Sequence, residues 1–165
     1  MGFIDAVTDY SGRQVDVELL QTIPHPVVLR RVQVSNIYDT PKIVAGVQKL
    51  AQRYALLLLT AKGFVNFAQE QGSELIAQLM SGKIKDRGRL QHEFAKANAR
   101  VLNQLRKDAR DTTTFGTIPA DEQLRSATLL DYEIDFASSS VFLRVKLVTR
   151  AGTSLEFIVP AKATR

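Results

Sequence analysis

The chain has no cysteine. Disulfide stapling, thiolate nucleophiles and cysteine metal sites are excluded, and the absence fits a protein made in a reducing cytoplasm. Histidine occurs twice, at His25 and His92, far apart and with no second histidine at ligand spacing, so no metal site is expected. Long apolar runs are also missing. The run Ala55–Leu59 falls far short of the ~20 residues that cross a bilayer, so no membrane is expected among the partners. The opening MGFIDAVTDY lacks the basic stretch before an apolar core that marks a secretory signal. No P-loop, dinucleotide fingerprint or Ser/His/Asp set is present, and no cofactor is expected.

What remains is an ordinary globular composition, 45% apolar and 24% charged over 165 residues, enough for one domain with a substantial core. The net charge of +5 is uneven: residues 41–112 hold 13 basic and 6 acidic side chains, whereas 1–40 are slightly acidic and 113–165 are balanced. A basic middle can face nucleic acid, an acidic protein or water.

The chain is organised around Leu56–Met80. A leucine run closes one helix at Thr60, Gly63 lets the chain reverse, and Phe64, Val65 and Phe67 supply apolar side chains to a short extended piece. Gly72-Ser73 stops that piece, and Ser73 caps the next helix. The whole stretch reads as packing. Upstream, Thr40-Pro41 predicts a helix start, with a buried stripe of Val44, Val47, Leu50, Ala51, Tyr54, Leu57 and Leu58 running to about Leu59. Downstream come a short helix over Glu74–Met80 and a longer one capped by Asp86. Leu90, Phe94, Ala97, Val101 and Leu105 mark the buried side of that longer helix. Asp111-Thr-Thr-Thr and Phe115-Gly116 predict a loop, and Pro119-Ala-Asp-Glu a turn or one-turn helix.

Residues 1–40 are too thin in apolar content for a domain. Val15, Val17 and Leu19 alternate with Asp16 and Glu18, and VVLRRVQVS follows Pro24 and Pro26, which reads as an N-terminal arm or short strands. The arm either orders against neighbouring subunits or packs on its own domain. Residues 41–165 form the domain proper.

Its last third is the most legible. Leu130, Tyr132, Ile134 and Phe136 alternate with acids, and Val141, Leu143, Val145 and Leu147 alternate with Phe142, Arg144, Lys146 and Val148. A turn at Ser138-Ser139 sets Phe136 opposite Val141, Ile134 opposite Leu143 and Tyr132 opposite Val145, with Glu133 facing Arg144 and Asp131 facing Lys146. The turn Arg150-Ala151-Gly152 then sets Leu147 against Leu155, Val145 against Phe157 and Lys146 against Glu156. The expected fold is α+β: helices packed on a three-stranded antiparallel meander, with an extended N-terminal arm.

Three sites follow. Glu70 and Glu74 resemble a glycosidase pair only in spacing; that chemistry needs a cleft holding the carboxyls ~5–9.5 Å apart, and a helix start explains Glu74. The basic side of the long helix, with Arg89, Lys96, Arg100 and Lys107, lacks interleaved aromatics and is interrupted by Glu93 and Asp108, so nucleic acid is not expected as a partner. The last strand, Ser154, Leu155, Glu156, Phe157, Ile158 and Val159, ends the meander with one side unpaired unless Val15–Leu19 of the arm or another chain covers it, and open edges invite strand addition.

The order of these features, with LLLLT, Gly63 and QGSELIAQLM over roughly residues 41–160, resembles the baseplate wedge proteins of contractile phage tails, also called sheath initiators, which have relatives in type VI secretion and other contractile injection machines. The family's Glu-Pro-Arg motif falls on Asp121-Glu122-Gln123-Leu124-Arg125, where Glu122 and Arg125 match and the proline does not. Family charges after the first glycine are replaced by Phe64-Val65. The resemblance implies a non-enzymatic virion component, assembled in the host bacterial cytoplasm, that links wedge to sheath and templates sheath assembly by strand addition. Implied partners are the tail sheath protein, baseplate wedge proteins docked by Glu122 and Arg125, and central hub or tube proteins, with six copies per baseplate. Some family members carry a lysozyme label, which leaves a tail-associated peptidoglycan hydrolase as the rival.

Overall fold

The computed structural model describes residues 15–23, 31–34, 43–111, 117–135 and 140–162. The fold is α+β, with three helices on one face of a sheet whose centre is the antiparallel meander. In chain order these are β1 (Asp16–Val17), β2 (Leu20–Ile23), β3 (Arg31–Val34), β4 (Ile43–Val44), α1 (Gly46–Leu59), α2 (Leu75–Met80) and α3 (Arg87–Asp111). A 3₁₀ turn (Ala120–Glu122), β5 (Leu124–Asp135), β6 (Ser140–Thr149) and β7 (Ser154–Lys162) follow.

The core forms where the predicted stripes meet. Val47, Leu50, Ala51, Tyr54, Ala55 and Leu58 of α1 and all five stripe positions of α3 are buried. They pack on the inward positions of β6 and β7, from Val141 to Leu147 and from Leu155 to Ala161, with the Tyr54 ring edge-on to Phe157 at 6.4 Å. Asp86 caps α3 as expected, accepting from the Arg89 N–H at 2.8 Å.

α1 starts later than the sequence predicts. Ile43–Val44 pair with Asp16–Val17 as a two-stranded antiparallel ribbon, and the helix begins at Gly46; Thr40-Pro41 lie outside the described residues. Ala45 offers no side-chain cap. The free donor at the helix start is met instead by Glu122, whose Oε1 accepts from the Gly46 N–H at 3.0 Å. That cap comes from 76 residues away, which no local signal announces.

Between β6 and β7 the predicted register holds: Leu147 faces Leu155, Val145 faces Phe157 and Lys146 faces Glu156. Between β5 and β6 it is displaced by two residues, with Ile134 opposite Val141 and Tyr132 opposite Leu143. A shift of two keeps every side chain on its own face, so Tyr132 and Ile134 still pack on the core. Phe136 lies outside the described residues. An irregularity between Leu129 and Asp131 then reverses the alternation; Leu129 packs against the core and Leu130 is exposed, not inward as its spacing suggests. The displaced register also redistributes charge. Arg144 and Lys146 both reach Glu156, at 3.0 and 4.0 Å, and Asp131 lies opposite Arg144 instead of Lys146.

The meander is not the whole sheet. β3 runs parallel to β7, in register at Arg31 and Ile158, and β2 pairs antiparallel with β3, giving the order β2-β3-β7-β6-β5.

Candidate docking surfaces

Ser154, Leu155, Glu156, Phe157, Ile158 and Val159 were expected to form a free edge. In the structure β7 lies inside the sheet, between β6 and the chain's own β3. The covering strand is Arg31–Val34, not the Val15–Leu19 segment whose alternation suggested it; that segment joins α1 instead, where Gln52 accepts from the Leu19 N–H at 2.7 Å and donates to the Val17 carbonyl at 2.9 Å. Among the described residues the cover is partial. The one registered β3–β7 pair is at Ile158, and no described strand flanks Ser154–Phe157 on the outer side. Along this strand Leu155, Phe157 and Val159 point into the core, while Glu156 is held by Arg144. Any contact with foreign chain there falls to the backbone.

Glu122 and Arg125 do not form a joint surface. The Glu122 carboxylate is buried, its side chain 4% exposed, and binds the Lys49 ammonium at 3.0 Å as well as the Gly46 N–H. It ties the turn before β5 to the start of α1. Arg125 is exposed. The expectation that both side chains meet wedge helices is corrected for Glu122, because a carboxylate that is 4% exposed and turned inward onto an ammonium and a helix N-terminus is out of a partner's reach.

Glu70 and Glu74 do not share a cleft either. Glu70 sits on an exposed loop in ion pairs with Arg100 at 3.1 Å and Lys62 at 3.7 Å, and Glu74 is exposed ahead of α2. His92 is exposed on α3, and His25 lies outside the described residues. Among the described residues no cluster of metal-ligating side chains forms and no helix is long and apolar enough to cross a membrane. Several cations of residues 41–112 are bound within the fold, Lys49 by Glu122 from outside the segment and Arg53, Arg89 and Arg100 by Asp108 at 2.8 Å, Glu93 at 2.9 Å and Glu70 within it.

Two features went unread in the sequence. The first is the crossing between α1 and α2, which presents rather than packs: Phe64 is 80% exposed and Phe67 95%. Its base is held firmly. Ser73 is fully buried, donates to the Leu58 carbonyl at 2.6 Å and accepts from the Leu75 N–H. Ala61 and Ser73 bridge in parallel, and the Gln104 amide donates to and accepts from the Gly72 peptide at 2.9 and 3.1 Å. Arg100 donates to the Gly72 and Glu70 carbonyls. Gly72 has φ +93°, and a Cβ there would stand 2.5 Å from the Thr60 carbonyl oxygen, so this close crossing requires glycine. The available signal was the company the phenylalanines keep: Asn66, Gln69, Glu70 and Gln71 surround them between two glycines.

The second is a cavity of about 240 Å³ at the C-terminal end of α3. Buried Leu105 and Leu124 form its floor, with half-buried Ala109 beside them, and exposed Arg106, Arg110 and Arg150 form its rim. These residues come from three separate segments, so spacing could not show them together.

Comparison of the chain with protein-family models, with curated proteins and with solved structures returned no match.

Proposed function

We propose that the chain is a non-enzymatic component of the baseplate of a contractile phage tail or related injection machine, joining wedge to sheath and templating sheath assembly by strand addition at its sheet. The observation that carries this reading is the outer side of β7. There the chain's own β3 spans four residues and is registered at Arg31 and Ile158, while Ser154–Phe157 has no described strand beside it. Parallel pairing is slightly weaker per residue than antiparallel, so a longer foreign arm that pairs along the whole of β7 can displace β3 and gain backbone hydrogen bonds. The β7 site expected from sequence is thereby kept in altered form, as a position guarded by a replaceable strand. Arg125 is the exposed residue left for a wedge contact.

The absence of native cysteine allows a clean test. Arg31→Cys with Ile158→Cys joins register partners, which lie within the Cα separation a disulfide tolerates. The oxidised variant is expected to keep its fold but lose addition of the sheath arm, and reductant is expected to restore it. Equal sheath binding in both redox states would remove β7 as the site. Density for this chain away from the base of the sheath in an assembled particle would remove the larger role. Hydrolysis of purified peptidoglycan by the chain would point to the rival activity.

A further inference from the structure

We infer that the Phe64–Phe67 loop is a knob that seats in the arginine-rimmed cavity of a second copy of this chain, so that copies associate head to tail. This goes beyond the proposed function and does not depend on it.

Two phenylalanines that are 80% and 95% exposed leave a large apolar area in water, and such exposed area usually marks an interaction site. The loop that carries them is tied at its base by Ser73, Gly72, Arg100 and Gln104. Little ordering entropy therefore remains to be lost on docking, which is what makes a rigid aromatic anchor effective.

The cavity at the C-terminal end of α3 has the complementary chemistry. A dry cavity of about 150 Å³ accepts benzene, so about 240 Å³ is room for one phenyl ring. Leu105 and Leu124 give the ring an apolar floor. Arg106, Arg110 and Arg150 can stack over its face. None of those three guanidinium groups has an acidic partner among the described residues; Arg106 makes one long contact, 3.5 Å to the Arg125 carbonyl. The knob also carries an acid: Glu70 is 87% exposed at its side chain and already disposed to arginine. An apolar ring with a neighbouring carboxylate thus meets an apolar floor with a cationic rim.

Knob and cavity lie on different sides of the same helix. Gln104, which holds the loop, and Ala109, which lines the cavity, are five residues apart and so about 140° apart around α3. One molecule cannot satisfy its own cavity, and a knob-to-cavity contact between two copies leaves one knob and one cavity open. Such a heterologous contact propagates or closes as a ring of more than two.

Sedimentation velocity of the full chain over a range of concentrations tests this. The expected result is concentration-dependent association that passes beyond two copies. Phe64→Ser with Phe67→Ser is expected to raise the dissociation constant at least about tenfold, and Arg106→Glu with Arg110→Glu to do the same. Far-UV circular dichroism should be unchanged in both, since every altered side chain is exposed. The decisive sample is an equal mixture of the two variants. One retains its cavity and the other its knob, so the mixture should recover association and stop at the dimer. A monomeric wild type, a wild type that stops at two copies, variants that associate as well as wild type, or a mixture that stays monomeric would each overturn the inference.

Discussion

Glu122 shows how much one side chain can be asked to hold. Its two oxygens satisfy the Lys49 ammonium and the first free N–H of α1, both within the fold. Removing one member of a buried pair costs about 3–5 kcal/mol, because the remaining charge stays behind. Glu122→Ala is therefore expected to lower unfolding free energy by that amount in urea titration, and Arg125→Glu to change it by no more than about 0.5 kcal/mol. Equal, small effects would mean that the pair is exposed after all. Tyr54 offers a second residue-scale test. Burial pushes its phenol well above the ordinary tyrosine value, and its hydroxyl bonds the Asn98 side chain at 2.8 Å. The neutral form is favoured in the folded state, so its contribution is complete below about pH 10 and is lost progressively above it, as the unfolded chain ionises first. Tyr54→Phe should unfold with a flatter alkaline limb than wild type when stability is followed from pH 9 to 12; identical slopes would remove the assignment.

At the scale of elements, the α1–α2 crossing and β5 carry the main lessons. Gly72 and Gly63 both have positive φ, but a Cβ at Gly72 meets the Thr60 carbonyl at 2.5 Å whereas one at Gly63 meets nothing within 4 Å. Gly63→Ala should cost about 1–2 kcal/mol from backbone conformation alone. Gly72→Ala should cost clearly more and should speed amide exchange at Ser73 and Leu75, whose bonds depend on that approach. Similar losses at the two sites would show that the crossing is looser than its hydrogen bonds imply. In β5 the alternation of acids and apolar residues announced a strand and its general facing. It did not announce where the strand departs from regular pairing near Leu130, because the irregularity depends on how the strand pairs with β6 and on the packing of α3, neither of which has a signature in seven residues.

At the scale of the molecule, the core cluster from Val47 to Ala161 joins all three helices to β5, β6 and β7. Deleting residues 1–35 is therefore expected to leave a single cooperative unfolding transition while accelerating amide exchange at 158–161, the part of β7 that β3 flanks. Loss of the transition would make the N-terminal strands part of the folding unit. The basic excess of the middle segment also looks different in three dimensions. Lys49 is bound by an acid from outside the segment and Arg53 and Arg100 by acids within it, and Arg106 and Arg110 stand beside one cavity.

Period and composition alone determined the α+β class, the inward faces of α1, α3, β6 and β7, and the register of β6 with β7, because a side chain's facing follows from local repeat and a three-residue turn leaves little choice of pairing. Tertiary structure alone decided that β3 lies on β7, that Glu122 caps a helix from 76 residues away, and that two phenylalanines stand in solvent. Each of those outcomes depends on which distant segment arrives at a given place, and no local repeat encodes the identity of a neighbour.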